Sequence, residues 1–239
     1  MIYIQSNSER TLPHHFDAAC AMYGAIDSSM NFRLTSFDEV HRGKFDNLIK
    51  RNLFVGSVEF MNEVFSRIGK TNVGLPRTSN RPFEIMTIQE ALDKTSDGSK
   101  LFIKSVDIKV LTGLVLDGCK YSSVNSLDPN TKVMAYDVFE SKIVSEWRMY
   151  INKNKIVDSH CYNDGFDILP DYSYAKEVIK ENIDFPCAYT LDMGILENGR
   201  NVVIEFNDMW SIGNYGIPND MYLKLLKDRY FEITELYCN

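Results

Sequence analysis

The first part of the chain alternates short apolar runs with stretches whose apolar residues recur at helical spacing. Residues 1–5 have the pattern of a strand, and residues 15–23, after a polar loop, have the pattern of a helix. In residues 57–68 apolar side chains recur every three or four positions, as on a helix face that packs against a sheet. This order predicts a small α/β lobe that begins with strand, loop and helix.

Residues 70–82, rich in Gly, Pro, Asn and Ser, favour irregular backbone and a boundary between lobes. After them, Thr87 and Glu90 have the spacing of a capping box, which predicts a helix start. Strands dominate the remainder, which predicts an α+β arrangement with largely antiparallel sheets. The predicted strands are 101–106, 110–116, 133–139, 145–151, 155–161, 187–195 and 201–206, and the later helices are 172–182 and 219–228. We therefore expect two regions, residues 1–75 and 76–239.

Composition and charge predict a globular protein that neither spans a membrane nor is coated by nucleic acid. At 239 residues and 44% hydrophobic content the chain can bury a substantial core. No apolar run approaches the roughly 20 residues that cross a bilayer, and the start turns polar too early for a signal peptide, so we expect a cytoplasmic protein with no membrane partner. The net charge of −7 does not indicate a nucleic-acid-coated surface, although it leaves room for a local basic groove. The sequence contains no GxxxxGK[ST] loop and no GxGxxG fingerprint.

Acidic and amide side chains stand on two strands near the C-terminus. The ENGR turn joins a strand that carries Asp192 to a strand that carries Glu205 and Asn207. Residues two apart on a strand project to one side, so Glu205 and Asn207 share a face, and the hairpin can place Asp192 beside them. Oxygen ligands of this kind suit Mg²⁺. The alternative is an ordinary solvated strand face.

Cationic residues occur on earlier strands. Lys104 stands on the apolar stretch LFIKSV, and Lys109 precedes a second apolar run, where two cations could hold phosphate oxygens. The alternative for a strand lysine is an exposed edge position. In EWRMYI, Glu146, Arg148 and Tyr150 share one face. Arg148 could bind a carboxylate or phosphate with two nitrogens, or form an ion pair with Glu146 or another acid.

Four motifs in order carry a family resemblance: FIKSVDIKVLTG, VFESKIVSEWRMYI, YTLDMGI and VVIEFND. They resemble the R-two-K clade of small ATP-grasp proteins, whose members show a KPxDxKxFTG-like stretch, an EWRxF-like strand and a closing ExN strand. The resemblance spans roughly residues 55–217. It implies an ATP-grasp fold, with two α+β lobes of largely antiparallel sheets that clamp ATP after a small α/β N-terminal lobe.

The resemblance also implies a role for each matching residue. Lys104 and Lys109 would bind the nucleotide phosphates, and Glu146 would bind the ribose. Arg148 would bind the γ-phosphate or the acid substrate, so that Arg148 and Lys109 are the predicted catalytic residues. The adenine hinge would consist of Val138, Phe139 and Glu140, and the magnesium ligands would be Asp192, Glu205 and Asn207.

Three positions depart from the family pattern. Ser105 replaces the usual proline after the first lysine, and Leu111 stands where an aromatic residue is common. Thr190 stands two residues before Asp192, where better-known ATP-grasp ligases have arginine. These departures put the shape of the phosphate loop in question and predict that Arg148 takes over part of the missing charge.

The chemistry that the resemblance implies is ATP-dependent ligation with ATP and Mg²⁺ as cofactors. ATP would convert a carboxylate into an acyl phosphate, and an amine would then displace phosphate. The substrates would be small-molecule or peptide acids and amines. Two alternatives stay open: a ligase or modifier of RNA or other nucleic-acid ends, which the charge does not favour, and an ATP-binding module without turnover.

Overall fold

A computed structural model describes residues 1–106, 111, 113–118, 124 and 126–235 of the chain. The backbone packs into two compact units. The first unit comprises Met1–Thr78 and Ile143–Asn239, and the second comprises Ser79–Lys142. The division into an N-terminal lobe, residues 1–75, and an ATP-grasp domain, residues 76–239, stays a prediction, because packing units do not test where a domain begins in the sequence.

Helices and strands within the described residues largely follow the predicted order. The strands are β1 (Ile2–Gln5), β2 (Phe32–Thr35), β3 (Leu53–Val55), β4 (Glu84–Thr87), β5 (Leu101–Ser105), β6 (Leu114–Leu116), β7 (Lys132–Asp137), β8 (Ile143–Asn152), β9 (Lys155–Cys161), β10 (Ala188–Leu196) and β11 (Asn201–Asp208). The helices are α1 (Phe16–Asp27), α2 (Phe37–His41), α3 (Asp46–Ile49), α4 (Val58–Ser66), α5 (Ile88–Lys94), α6 (Tyr172–Glu181) and α7 (Asn219–Ile233). β2, β3, β4, α2 and α3 were not predicted, since each has only three to five residues and offers few periodic positions.

The N-terminal part of the first unit is a parallel sheet of order β2-β1-β3. α1 packs on α7 through small residues, because a Cβ added at Gly24 would lie 2.2 Å from the carbonyl oxygen of Asn219. The predicted strand-loop-helix entry is confirmed. Among the described residues, no helix is long and apolar enough to cross a membrane.

Helix α2 begins with a buried charged cap. Glu39 Oε2 accepts hydrogen bonds from the Ser36 backbone N–H at 3.2 Å and the Thr35 hydroxyl at 3.0 Å, and Glu39 Oε1 accepts from Lys44 at 2.5 Å. Burial acts to raise the pKa of Glu39, but the bonds from Lys44, Ser36 and Thr35 outweigh it and lower this pKa to about 2. The ionised carboxylate therefore stabilises the N-terminal sheet at neutral pH.

Glu39→Gln is expected to lower the free energy of unfolding by about 2 kcal/mol at pH 7. The lowered pKa alone corresponds to about 3.5 kcal/mol, and solvent screening of the half-exposed Lys44 partner reduces it. The folded-state pKa lies below the unfolded-state value of 4.5. The stabilisation is therefore complete above about pH 4.5 and is lost as the pH falls toward 2. Urea unfolding of both proteins at pH 7 and pH 3 checks this, and an equal difference at both pH values would contradict it.

The C-terminal part of the first unit is an antiparallel sheet of order β11-β10-β8-β9. One face is apolar, and its buried residues Met149, Ile151, Leu191 and Met193 form a core with the inner side of α6. Side chains of the opposite face alternate with these, as predicted for EWRMYI, and include Arg148. The alternation therefore fixes one apolar core face and one polar face.

The second unit is an antiparallel sheet of order β4-β7-β5-β6, covered on one face by α5. Its core joins Ile103 and Val133 of the sheet with Ile88 of the helix. The predicted capping box is present: the Thr87 hydroxyl accepts from the Glu90 N–H at 3.1 Å, and Glu90 Oε2 accepts from the Thr87 N–H at 2.7 Å. Local spacing therefore located this helix start correctly.

Candidate functional site

The predicted hairpin brings the three oxygen-bearing side chains together. Gly199 takes a φ of +84° in the turn, and β10 and β11 pair so that Asp192 lies opposite Glu205. The Asn207 Nδ2 donates to Asp192 Oδ2 at 3.3 Å and to Glu205 Oε1 at 3.1 Å. The strand alternation thus gave the correct placement of all three.

Arg148 lies directly beside this trio. β8 pairs with β10 in a register that sets Arg148 opposite Asp192. Its Nε donates to Asp192 Oδ1 at 2.8 Å and its Nη2 to Asp192 Oδ2 at 2.6 Å. The two side chains are only 6% and 3% exposed. Of the interpretations left open by the sequence, the structure shows an ion pair, with Asp192 rather than Glu146 as the partner.

Two tyrosine rings and a carbonyl surround the Arg148 guanidinium. Its central carbon lies 4.4 Å from the ring centre of Tyr215 and 5.9 Å from that of Tyr162. These two rings stack on each other at 5.1 Å. The Nη1 donates to the Gly213 carbonyl at 3.4 Å. The cation is therefore held by an aromatic face, a carbonyl and a carboxylate.

Hydrogen bonds to Tyr150 and Asp17 hold the loop that carries Tyr215 in place. The Tyr150 hydroxyl donates to the Gly213 carbonyl at 3.1 Å and accepts from the Tyr215 N–H at 3.0 Å. The Asn214 N–H donates to Asp17 Oδ1 of α1 at 2.7 Å. Sequence reasoning assigned no role to Tyr215 and did not place Tyr162 beside Arg148. One available signal was the pair of glycines around the NYG segment, which marks a loop close to other groups.

Burial dominates the electrostatics of the cluster. It raises the pKa of Asp192 to about 6, although the hydrogen bonds and charge of Arg148 oppose this shift. Burial acts to lower the pKa of Arg148, but Asp192 outweighs it and raises that pKa. Burial, followed by the charges of Asp192 and Glu146, raises the pKa of Tyr162. At neutral pH the site therefore contains an ion pair and a neutral phenol.

The donor set fits Mg²⁺ in chemistry. Two carboxylates and an amide oxygen are the hard ligands that this ion prefers, and Glu205 and Asn207 are half-buried rather than closed off. The Asn207 amide now turns its Nδ2 to both carboxylates, so it would rotate by half a turn to present its oxygen to a cation. Both Asp192 oxygens already accept from Arg148, so a bound cation would share this carboxylate with the guanidinium. Within the described residues no group of three or more His, Cys, Asp or Glu side chains could hold a metal. The Asn207 amide is therefore essential to this candidate site.

Glu146 lies on the same face of β8, two residues before Arg148. Its carboxylate is hydrogen-bonded to the side chain of Tyr162. Its backbone N–H donates to Asn163 Oδ1 at 3.1 Å. The predicted ribose acid is thus half-buried and already oriented by a tyrosine of the same cluster. Its role toward a nucleotide stays a prediction.

The other predicted nucleotide residues belong to the second unit. Lys104 lies opposite Met134, and its Nζ is 5.7 Å from the ring centre of Tyr136. The predicted hinge, Val138 to Glu140, follows β7 directly. Arg81, which sequence reasoning missed, stacks its guanidinium 4.0 Å from the Phe139 ring and donates to the Asp137 carbonyl. No motif marked Arg81, because its partners stand more than fifty residues away.

Ser105, one of the departures from the family pattern, has a structural role. Its hydroxyl accepts from the Leu111 N–H at 2.9 Å and lies 3.3 Å from the Leu111 carbonyl, to which it donates. Leu111 is buried in the core of the second unit. Ser105 thus ties Leu111 to the end of β5, whereas Lys109 lies outside the described residues.

Comparison with known families identifies one match. Residues 79–225, more than half of the chain, match the model of the ATP-grasp domain, R-two-K clade, family 2. No curated protein sequence matches the chain significantly. The family match includes the hinge segment, β8, and the hairpin with its three oxygen-bearing side chains.

Solved structures with a similar backbone are ATP-grasp proteins. D-alanine–D-alanine ligase from Bacillus anthracis aligns with a TM-score of 0.56 at 10% identity, over 98% of each chain. N5-carboxyaminoimidazole synthetase from Staphylococcus aureus, complexed with ADP, aligns at 0.52 and 10% identity, over 95% of this chain and 77% of that one. The ATP-grasp ligase PsnB, complexed with a minimal precursor, Mg and ADP, aligns at 0.52 and 11% identity, over 98% of this chain and 96% of that one. At such identities the likeness shows the fold, and it confirms the predicted ATP-grasp architecture.

Proposed function

This chain belongs to the R-two-K clade of ATP-grasp domains, and we propose that it is an ATP-dependent ligase that joins a carboxylic acid to an amine. The observation that carries the proposal is the polar face of β8, β10 and β11. There, Arg148 and three oxygen-bearing side chains, Asp192, Glu205 and Asn207, lie within hydrogen-bond distance of one another or of a shared partner. Such a face provides both a cation and metal ligands for a polyphosphate.

In this proposal Asp192, Glu205 and Asn207 hold Mg²⁺. When bound, the ion would offset negative charge on the phosphate oxygens. Arg148 would stabilise negative charge on the transferring phosphoryl group through the N–H groups of its guanidinium, which Tyr215 and Gly213 hold in place. The aromatic contact limits the motion of the guanidinium, so less reorganisation is needed when charge develops.

The proposed nucleotide contacts follow the family resemblance. Lys104 and Lys109 would contact phosphate oxygens, Glu146 would accept hydrogen bonds from the ribose hydroxyls, and the hinge of Val138, Phe139 and Glu140 would line the adenine. Glu146 already accepts a hydrogen bond from Tyr162, which supports a fixed orientation of its carboxylate at the site. Lys109 and Arg148 remain the proposed catalytic residues.

The proposed reaction has two steps. A carboxylate oxygen of the acid attacks the γ-phosphorus of ATP, and ADP leaves, which gives an acyl phosphate. The amine nitrogen then attacks the acyl carbon, the bond from that carbon to the phosphate oxygen breaks, and the amide forms with loss of one amine proton to the departing phosphate. Small-molecule or peptide acids and amines are the proposed substrates. PsnB was also solved with the precursor peptide PsnA2, and this offers a peptide as one substrate class to test.

Release of ADP in the presence of panels of acids and amines tests the proposal. We expect release that requires Mg²⁺ and rises only when a particular acid and amine are both present. ATP binding without ADP release for any acceptor would instead support a binding module. Dependence on an RNA or DNA end, with no response to acids and amines, would support the nucleic-acid alternative.

A further inference from the structure

His160 stands on the polar face of the antiparallel sheet, outside the groups that are proposed to bind ATP and Mg²⁺. β9 pairs with β8 in a register that sets His160 directly opposite Arg148. Side chains in opposite positions of an antiparallel pair have Cβ atoms about 5 Å apart. His160 therefore lies beside the residue that is proposed to stabilise the transferring phosphoryl group.

One ring nitrogen of His160 faces a carboxylate of the same strand. Asp158 stands two residues earlier on β9, and its Oδ2 lies 3.1 Å from the buried Nε2 of His160. The other oxygen, Oδ1, accepts from the Ser159 N–H at 2.8 Å, which fixes the orientation of the carboxylate. A carboxylate at Nε2 retains a proton on that nitrogen, so the lone pair of the neutral ring lies on Nδ1.

The second ring nitrogen, Nδ1, faces a space beside a glycine. A Cβ added at Gly216 would lie 3.1 Å from His160 Nδ1, so an atom in that space is within hydrogen-bond distance of the lone pair. The φ of +103° at Gly216 independently favours glycine there. Because Nε2 is buried while 32% of the side chain is exposed, a substrate approaches the ring from the side away from Asp158.

The loop beside this space also contacts Arg148. The Tyr215 ring lies 4.4 Å from the Arg148 guanidinium, and the next residue, Gly216, packs against His160. Tyr162, two residues after His160, stacks on the Tyr215 ring at 5.1 Å. The imidazole and the guanidinium therefore border the same loop on one face of the sheet.

We propose that His160 is the general base that removes a proton from the attacking amine, and that Asp158 is a positioning residue for the imidazole ring. This inference rests on the proposed ligase function and assigns a further residue to its second step. Amino groups of amino acids and peptides are largely protonated at neutral pH, and an ammonium has no lone pair with which to attack. A base that accepts this proton beside the acyl phosphate therefore accelerates the second step.

The two protons that the ammonium loses have different acceptors. His160 Nδ1 accepts the first proton, which gives a neutral amine and an imidazolium that Asp158 stabilises. The amine nitrogen then attacks the acyl carbon, and the second proton leaves with the phosphate. The imidazolium afterwards returns its proton to water. The positive charge of Arg148 opposes the imidazolium only weakly, because Asp192 is paired with that guanidinium.

Two classes of nucleophile distinguish the base from the rest of the site. Hydroxylamine is already unprotonated at neutral pH and traps an acyl phosphate as a hydroxamate without a base, whereas methylamine and the common amino acids arrive as ammonium ions. Each nucleophile is added to the full chain with Mg-ATP and a panel of amino acids, dicarboxylic acids and short peptides as acids. Hydroxamate reports the first step of the reaction, and amide reports both steps.

We expect His160→Gln to lower amide formation by about 100-fold or more while hydroxamate formation stays within about twofold of the parent. Asp158→Asn should lower amide formation in the same selective way, but by less, because the imidazole remains. The matched control is His41→Gln, since His41 Nδ1 also faces a carboxylate, that of Glu63 at 3.2 Å, and lies in the N-terminal part of the same unit. It should retain both reactions.

Amide formation by His160→Gln equal to that of the parent would overturn the proposal. Equal losses of amide and hydroxamate in both His160→Gln and His160→Asn would also overturn it, because the imidazole would then have a structural role. A folded parent that forms no hydroxamate with any acid of the panel would refute the ligase function and, with it, the role of the base. The two failures are distinguishable, since the last appears in the parent and the others only in the variants.

Discussion

Replacing Arg148 with alanine is expected to lower the free energy of unfolding by about 3–5 kcal/mol, because the change leaves a buried carboxylate without its partner. Asp192 accepts both of its short hydrogen bonds from Arg148, and its side chain is 3% exposed. Urea unfolding at pH 7 measures the loss. A loss below about 1 kcal/mol would mean that the pair is solvated and contributes little.

The first unit offers a matched control for this change. Arg229 donates to Asp208 at 2.6 and 2.7 Å, and both side chains are 9% exposed. Arg229→Ala should therefore destabilise the protein to a similar degree while leaving Mg-ATP binding to the folded protein intact. Arg148→Ala should impair both properties. Equal binding by the two variants would contradict the proposed role of Arg148.

The cost of Arg148→Ala should also depend on pH. Burial raises the pKa of Asp192 to about 6 in the parent, and removal of the cation that opposes this shift raises it further. A raised folded-state pKa contributes stability that is lost as pH rises through that value. The difference in free energy of unfolding between Arg148→Ala and the parent should therefore be smaller at pH 5 and grow above about pH 6.

Tyr215→Leu is expected to lower the rate of ATP turnover by about 5–10-fold, because the Arg148 cation is buried while the Tyr215 ring is partly exposed, so that their cation–π contact contributes about 1–1.4 kcal/mol. The Tyr215 ring lies 4.4 Å from the Arg148 guanidinium and forms one side of its surroundings. The effect should appear in kcat more than in KM for ATP, since Arg148 acts on charge that develops in the transition state. Acid- and amine-dependent ADP release provides the rate.

The variant Tyr215→Phe distinguishes loss of the cation–π contact with Arg148 from a general structural effect of replacing Tyr215. It retains the aromatic face, so its turnover should stay within about twofold of the parent. Because Tyr215 is exposed, both variants should unfold near the parent temperature. Equal losses of ATP turnover in the phenylalanine and leucine variants would show that the ring face of Tyr215 does not position Arg148.

Local sequence patterns were sufficient to predict the hairpin of β10 and β11. The ENGR turn and the alternation of the following strand placed Glu205 and Asn207 on one face with Asp192, and the structure has this arrangement. The capping box at Thr87 and Glu90 was found in the same way. A second capping box, Ser36 with Glu39, has the same spacing and would have located α2.

Contacts between distant segments could not be read from local patterns. The partner of Arg148 depends on β8 pairing with β10 in one register, and alternation along either strand does not specify which strands are neighbours. Tyr215 reaches Arg148 from a loop that stands far along the chain, beyond β11. The family resemblance supplied a predicted role for Arg148, whereas its buried ion pair and its aromatic contact required the three-dimensional structure.

Calorimetry of Mg-ATP binding tests the proposed site most directly, with the parent compared with Glu205→Ala plus Asn207→Ala. Glu197→Ala plus Asn198→Ala is the matched control, because it removes the same residue types from the exposed turn of the same hairpin. We expect Mg²⁺-dependent ATP binding by the parent and the control, and none by the first double variant in its folded form. Binding by that variant equal to the parent, or no binding by the folded parent, would contradict a magnesium-nucleotide site on this face.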